Sequence, residues 1–165
     1  MTDHVQRNPD RFTVGAIGEV GARVFLVQGV AGLDVVTIKV EKQQIAVLAT
    51  YLTRALDSMG RPGHLPDDLE LVLSPDDGID MVAGELSVTI DEVDGTVEVV
   101  VESLEGDPPD DTATFVLSKE QAAAFAIRAT LLVEAGRPPC PLCGLPLDPR
   151  GHDCPRTNGH RAPIT

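Results

Sequence analysis

Hydrophobic and polar positions alternate along several short segments of the chain, and turn residues separate these segments. A period of two is typical of strands that bury one face, and Asp94–Gly95 is typical of a hairpin turn. The segments that we predict as strands are 11–18, 22–30, 35–41, 85–91, 96–103 and 112–117, with 69–73 as a short edge strand.

Two other segments carry apolar residues at helical spacing. The first runs from about residue 42 to residue 58 and is followed by a glycine and a proline, which end helices. The second begins after Ser118, which has the spacing of a capping box with Gln121, and runs to about residue 134. The apolar stripe of the first helix consists of Ile45, Leu48, Leu52, Ala55 and Leu56.

The two halves of the chain have the same order of elements, three strands and then a helix. Thr37–Ala49 aligns without a gap on Thr114–Ala126, with five identical residues in thirteen. We therefore predict an α+β fold, an antiparallel sheet of about six strands with two helices on one face. A duplicated βββα unit explains the similarity, and the alternative is that the order strand, Lys-Gln, helix recurs by chance.

The composition fits one compact domain with a small appendage. Aromatic residues make up only 3% of the 165 residues, so the core must consist of Val, Leu, Ile and Ala. No apolar run reaches the roughly 20 residues that span a bilayer, so we expect no membrane segment. Met1–Arg7 lacks the layout of a signal peptide, so we expect a cytoplasmic protein.

The net charge of −13 is unevenly distributed. Residues 137–165 contain four arginines and two aspartates, so the whole acidic excess lies in residues 1–136, which contain nine basic and 24 acidic side chains. So acidic a body repels phosphate backbones, which argues against nucleic-acid binding by the main domain. The arginine-bearing tail could still contact RNA or an acidic protein partner.

All three cysteines lie close together near the end of the chain, two of them as Cys140-x-x-Cys143. In a reducing compartment this clustering favours a metal over disulfides. Cys140, Cys143 and Cys154 supply three thiolates, and His152 supplies an imidazole. Together they are the four ligands that tetrahedral zinc requires. A closed set of four protein ligands has no open position for water, so we expect the zinc to be structural.

The same tail contains a second candidate histidine and two polar residues that could bind a partner. His160 competes with His152 for the fourth ligand position. Arg156 and Asn158 have side chains that could bind a partner's carboxylate or phosphate, or could instead cap the zinc loop. Zinc nucleobase deaminases share a Pro-Cys-x-x-Cys half-motif, but this chain lacks the upstream His-x-Glu that their chemistry needs.

The sequence resembles a known family, and the C-terminal motif is the most specific part of the resemblance. Gly136–Gly144 and Gly151–Gly159, together with Asn8–Gly15 and Val40–Gln44, are similar to an uncharacterised actinobacterial family, the domain of unknown function 3090. The resemblance covers nearly the whole chain and implies no established activity. It favours His152 over His160 as the zinc ligand.

These observations predict a core domain over residues 1–136 and a zinc-knuckle tail over residues 137–165. The leading hypothesis is a non-enzymatic interaction or adaptor protein that binds a protein partner through the tail. The alternatives are an enzyme with an acidic pocket between the two halves and weak RNA binding through the tail. Candidate acid–base groups for the enzyme, chosen by residue type alone, are Glu41, Glu85, Glu92 and Glu98.

Overall fold

A computed structural model of the chain describes residues 2–19, 21–72, 78–104 and 111–135. This part of the chain forms seven strands and two helices. In chain order they are β1 (Asp3–Arg7), β2 (Arg11–Ile17), β3 (Val24–Ala31), β4 (Asp34–Val40), α1 (Lys42–Asp57), β5 (Met81–Asp91), β6 (Thr96–Ser103), β7 (Thr112–Ser118) and α2 (Lys119–Ala135).

The strands form one mixed sheet in the order β1-β7-β6-β5-β4-β3-β2. The pairs β1–β7 and β4–β5 are parallel, and the other four are antiparallel. The α+β class and the two helices are confirmed, whereas the purely antiparallel sheet of about six strands was wrong. The seventh strand is β1, whose mostly polar sequence gave no strand pattern.

Both parallel pairs arise because the first strand of each half is long and changes partner along its length. β5 begins beside β4, where Ile38 pairs with Met81, and continues beside β6 after a register shift between Ala83 and Leu86. β1 and β2 behave as one such strand with a break, at which Asn8 has a φ of 48°. The two edge strands of the sheet, β1 and β2, are therefore consecutive in sequence and only three residues apart. The sheet must curve to bring its two edges this close together.

Each helix starts with a reciprocal capping box, which satisfies backbone N–H groups that have no partner inside the helix. The Glu41 N–H donates to Gln44 Oε1 at 2.8 Å, and the Glu41 side chain accepts from the Gln44 N–H. The Ser118 N–H donates to Gln121 Oε1, and the Gln121 N–H donates to Ser118 Oγ, both at 3.1 Å. The capping box predicted at Ser118 is therefore confirmed.

The same two glutamines also brace the breaks in the two long strands. Gln44 Nε2 donates to the Gly84 carbonyl at 2.8 Å, beside the register shift of β5. Gln121 Nε2 donates to the Pro9 carbonyl at 2.5 Å, inside the break between β1 and β2. Each glutamine therefore fixes the start of a helix to the bend of the long strand that it packs against.

The core lies between the sheet and the two helices, which also pack against each other. Its centre is aromatic: the Phe12 ring lies 4.9 Å from Phe115 and 4.6 Å from Phe125, centroid to centroid. All three rings are at most 1% exposed, and aliphatic side chains from every layer surround them. The prediction of a core of Val, Leu, Ile and Ala alone was therefore wrong at its centre, where three of the few aromatic residues meet at one point.

Residues 69–72 cover the outer face of β2 and β3. They form no strand, so the edge strand predicted at 69–73 was wrong over these residues. Thr13 Oγ1 donates to the Leu69 carbonyl at 2.5 Å. The Val72 N–H donates to Gln28 Oε1 at 2.7 Å, and Gln28 Nε2 donates to the Val72 carbonyl at 2.9 Å. Side chains that rise from the sheet face hold this segment, so its backbone cannot extend the sheet edge.

Candidate functional site

The metal ligands and the partner-binding residues predicted from the sequence all lie outside the described residues. These positions are Cys140, Cys143, His152, Cys154, Arg156, Asn158 and the rival ligand His160. The zinc site therefore stays a prediction. In the part of the chain that the structure describes, no group of three or more His, Cys, Asp or Glu side chains is placed to hold a metal ion.

The four glutamates considered as acid–base groups are exposed: Glu41, Glu85, Glu92 and Glu98. None of them lines any of four well-formed grooves on the surface of the described residues. The structure therefore does not bring these side chains together in a cleft between the halves.

Two of the grooves occupy equivalent places in the two halves. Each lies between a helix and the later part of a long first strand, and the tenth, thirteenth and fourteenth residues of the helix line it. The α1–β5 groove is lined by Tyr51, Arg54, Ala55, Leu86, Ser87, Val88 and Ile90. The α2–β2 groove is lined by Gly15, Ala16, Gly18, Arg23, Arg128, Leu131 and Leu132.

The two equivalent grooves have different chemistry, although each encloses about 490 Å³. In the α1–β5 groove, Tyr51 faces a wall of β5 that is largely apolar. At the equivalent helix position, the α2–β2 groove has Arg128, and Arg23 adds a second guanidinium from the start of β3. The structure therefore places two cations in a groove of an acidic protein.

Arg128 is held in a defined position. Its Nε–H donates to the Val14 carbonyl on the outer edge of β2 at 2.6 Å, and the residue is half-buried. Arg128 was not predicted from the sequence, although one signal was available. It is the one charged residue between Glu120 and Glu134, in a mostly apolar part of α2.

A third groove of about 450 Å³ follows the seam between the helices. Small side chains such as Ala46, Ala49, Thr50 and Thr53 line it, with Glu134 at the end of α2. It carries no cluster of reactive groups. No helix among the described residues is long and apolar enough to cross a membrane.

The described residues thus define a class of protein: an α+β fold with a curved mixed sheet, two helices packed on it and a pair of equivalent grooves. The chain belongs to the family described as Protein of unknown function (DUF3090), whose model matches residues 4–154. This match confirms the family resemblance. It begins within β1 and ends at Cys154, the last of the predicted zinc ligands. No curated protein and no solved structure matches the chain.

Proposed function

We propose that the protein is a non-enzymatic interaction module in which an α+β core, residues 1–136, carries a zinc-binding tail, residues 137–165. One observation carries the proposal: the family match covers residues 4–154, from β1 to Cys154. Core and cysteine segment thus belong to one family unit, and the tail is more than an unrelated extension. The ligands that we propose are Cys140, Cys143, His152 and Cys154.

The role of zinc follows from the chemistry of this donor set. Three thiolates and one neutral imidazole fill a tetrahedral zinc, so a metal held by them would be structural. A tail of about thirty residues cannot bury enough surface to fold alone, so metal binding would supply its folding free energy. Reduced thiolates are required, which is why we place the protein in the cytoplasm.

The described part of the chain supports a scaffold role better than an enzymatic one. The four glutamates first considered as acid–base groups are exposed and lie outside the grooves. In the tail, Arg156 and Asn158 offer donors for a carboxylate or phosphate of a protein partner. Recognition by the zinc-folded tail, displayed on a rigid core, is therefore the function that we favour.

The core itself, we infer, arose by duplication of a βββα unit. The two glutamines with matching roles, the two long strands that change partner and the two equivalent grooves support this history. Duplication explains how two equivalent grooves could diverge, with Tyr51 in one at the helix position that Arg128 occupies in the other.

The interaction role can be tested by affinity capture with three baits: the full-length wild type, full-length Cys143→Ser and a variant that ends at residue 136. We expect a specific partner to bind the wild type and to be lost with both altered baits. An Arg156→Gln, Asn158→Ala double variant should retain zinc and lose the partner. A partner that binds equally well without residues 137–165 would contradict the proposal.

The identity of the fourth ligand is a separate question with a matched pair of variants. We expect His152→Asn to weaken zinc binding by at least about tenfold, whereas His160→Asn should leave the affinity unchanged. Competition titration with a chromophoric chelator measures both. The reverse result would assign the ligand to His160.

A further inference from the structure

The α2–β2 groove contains positive charge that the described residues do not neutralise. Among them, the carboxylates within 4.0 Å of a cationic side chain are Asp68, beside Arg11, and Asp67, beside His64. Neither Arg23 nor Arg128 forms an ion pair in this part of the chain, and no acidic residue lines the groove. In a chain with a net charge of −13, two arginines left together without a carboxylate partner need an explanation.

Edge protection explains only part of the role of Arg128. Its Nε–H covers the Val14 carbonyl, which blunts the free edge of β2. That bond uses one of the five N–H groups of a guanidinium, and Nη1 and Nη2 have no hydrogen bond to any described residue. The Nε bond fixes the planar fork, so less side-chain entropy is lost when the remaining donors bind a ligand.

The strand side of the groove consists of small residues, Gly15 and Ala16 of β2 and Gly18 just after it. Val14 of the same strand provides the carbonyl that holds Arg128.

On the helix side of the groove, apolar side chains follow Arg128. Leu131 is 62% exposed and Leu132 partly buried, and both line the groove next to Arg128. A ligand that fits this lining has an oxyanion at one end, for the two guanidinium groups, and an apolar body at the other. A fork of parallel N–H groups matches carboxylate and phosphate oxygens alike.

We propose that the α2–β2 groove binds a small amphiphilic oxyanion, with Arg128 and Arg23 as ligands of its carboxylate or phosphate group and Leu131 and Leu132 against its apolar body. This site is independent of zinc and lies entirely within the core. The equivalent α1–β5 groove, with Tyr51 in place of Arg128, does not share it.

The test is calorimetric titration of the full-length protein at low ionic strength with octanoate, octyl phosphate, inorganic phosphate and octanol. We expect saturable binding of one or both amphiphilic anions, weaker binding of phosphate alone and none of octanol. The comparison of octanoate with octyl phosphate decides which oxyanion the site prefers. Absence of saturable binding by all three anions would overturn the proposal.

Variants locate the site. Arg128→Gln and Arg23→Gln should each weaken binding about tenfold or more, and Arg128→Lys should recover only part of the loss because it lacks the fork. Arg54→Gln, in the equivalent groove, is the matched control and should bind like the wild type. If Arg128→Gln fails to fold, Arg23→Gln provides the test of the binding site, because Arg23 is exposed and its replacement should not affect folding. Binding that Arg23→Gln leaves intact, or that Arg54→Gln weakens equally, would contradict the assignment.

Discussion

Gln44 and Gln121 each cap a helix and hold the bend of a long strand, so each should matter more than an ordinary polar residue. We expect Gln44→Ala and Gln121→Ala each to lower the free energy of unfolding by about 1–2 kcal/mol, because a cap and a bond to a buried carbonyl are lost together. Urea denaturation monitored by circular dichroism measures the change.

The neighbouring Gln43 is exposed and provides the control for this pair. Gln43→Ala should change stability by less than about 0.5 kcal/mol, as is usual for surface substitutions. A loss of the same size in all three variants would show that the side-chain bonds of Gln44 and Gln121 contribute nothing special.

Gly29 is a position in the sheet that leaves no room for a side chain. A Cβ there would overlap Gln6 Oε1 and lie 2.5 Å from Phe115 Cε1, so neighbours in the core would have to move. We expect Gly29→Ala to cost about 1–3 kcal/mol in thermal or urea unfolding. Gly78→Ala, where a Cβ has open space, should be neutral or slightly stabilising. Equal effects at the two glycines would contradict this packing.

Local residue roles could be predicted from the sequence, and long-range ones could not. The Ser118–Gln121 capping box is set by a spacing of three residues, so the pattern alone identifies it. The burial of Gln6 against Gly29 depends on strand β1 lying across β3, which no local pattern encodes. Arg128 was missed for the same reason, since only the fold shows that Arg23 lies beside it.

Among the elements, residues 69–72 make a direct test because two side chains of the sheet hold them. Gln28→Leu leaves the Val72 N–H and carbonyl without their partner, so this segment should detach more often. We expect hydrogen exchange of the Val72 amide to accelerate by about tenfold or more, which corresponds to about 1.4 kcal/mol.

Asp68→Asn is the control for this segment. It removes the exposed ion pair with Arg11, which is worth about 0–1 kcal/mol, and leaves the Gln28 bonds in place. Exchange at Val72 should stay close to that of the wild type. Fast exchange at Val72 already in the wild type would mean that the segment does not cover the sheet.

Most elements follow from periodicity, and the exceptions have physical causes. Strand β6 was predicted with the bounds that the structure gives, Thr96–Ser103, because it follows the Asp94–Gly95 hairpin turn as the partner of the strand before it. Strand β1 was missed because most of its residues are polar and it is held by pairing with β7. Residues 69–72 alternate like a strand, yet their partners are side chains, which periodicity cannot distinguish.

At the scale of the whole molecule, the two halves depend on each other. β1 pairs with β7 and β4 with β5, so both parallel pairs cross between the halves. We expect residues 1–77 and 78–165, produced separately, to show no cooperative unfolding, and their mixture to regain it. Circular dichroism during heating measures this, and a cooperative transition in either half alone would contradict the interlocked sheet.

The central claim is that a self-sufficient core carries a tail that zinc folds. Elemental analysis of untagged protein purified without added zinc, for the wild type and Cys143→Ser, tests it most directly. We predict one zinc per wild-type chain, and none in Cys143→Ser with an unchanged unfolding transition of the core. Freshly reduced wild-type protein without metal would contradict the account and would direct attention to thiol chemistry at Cys140, Cys143 and Cys154.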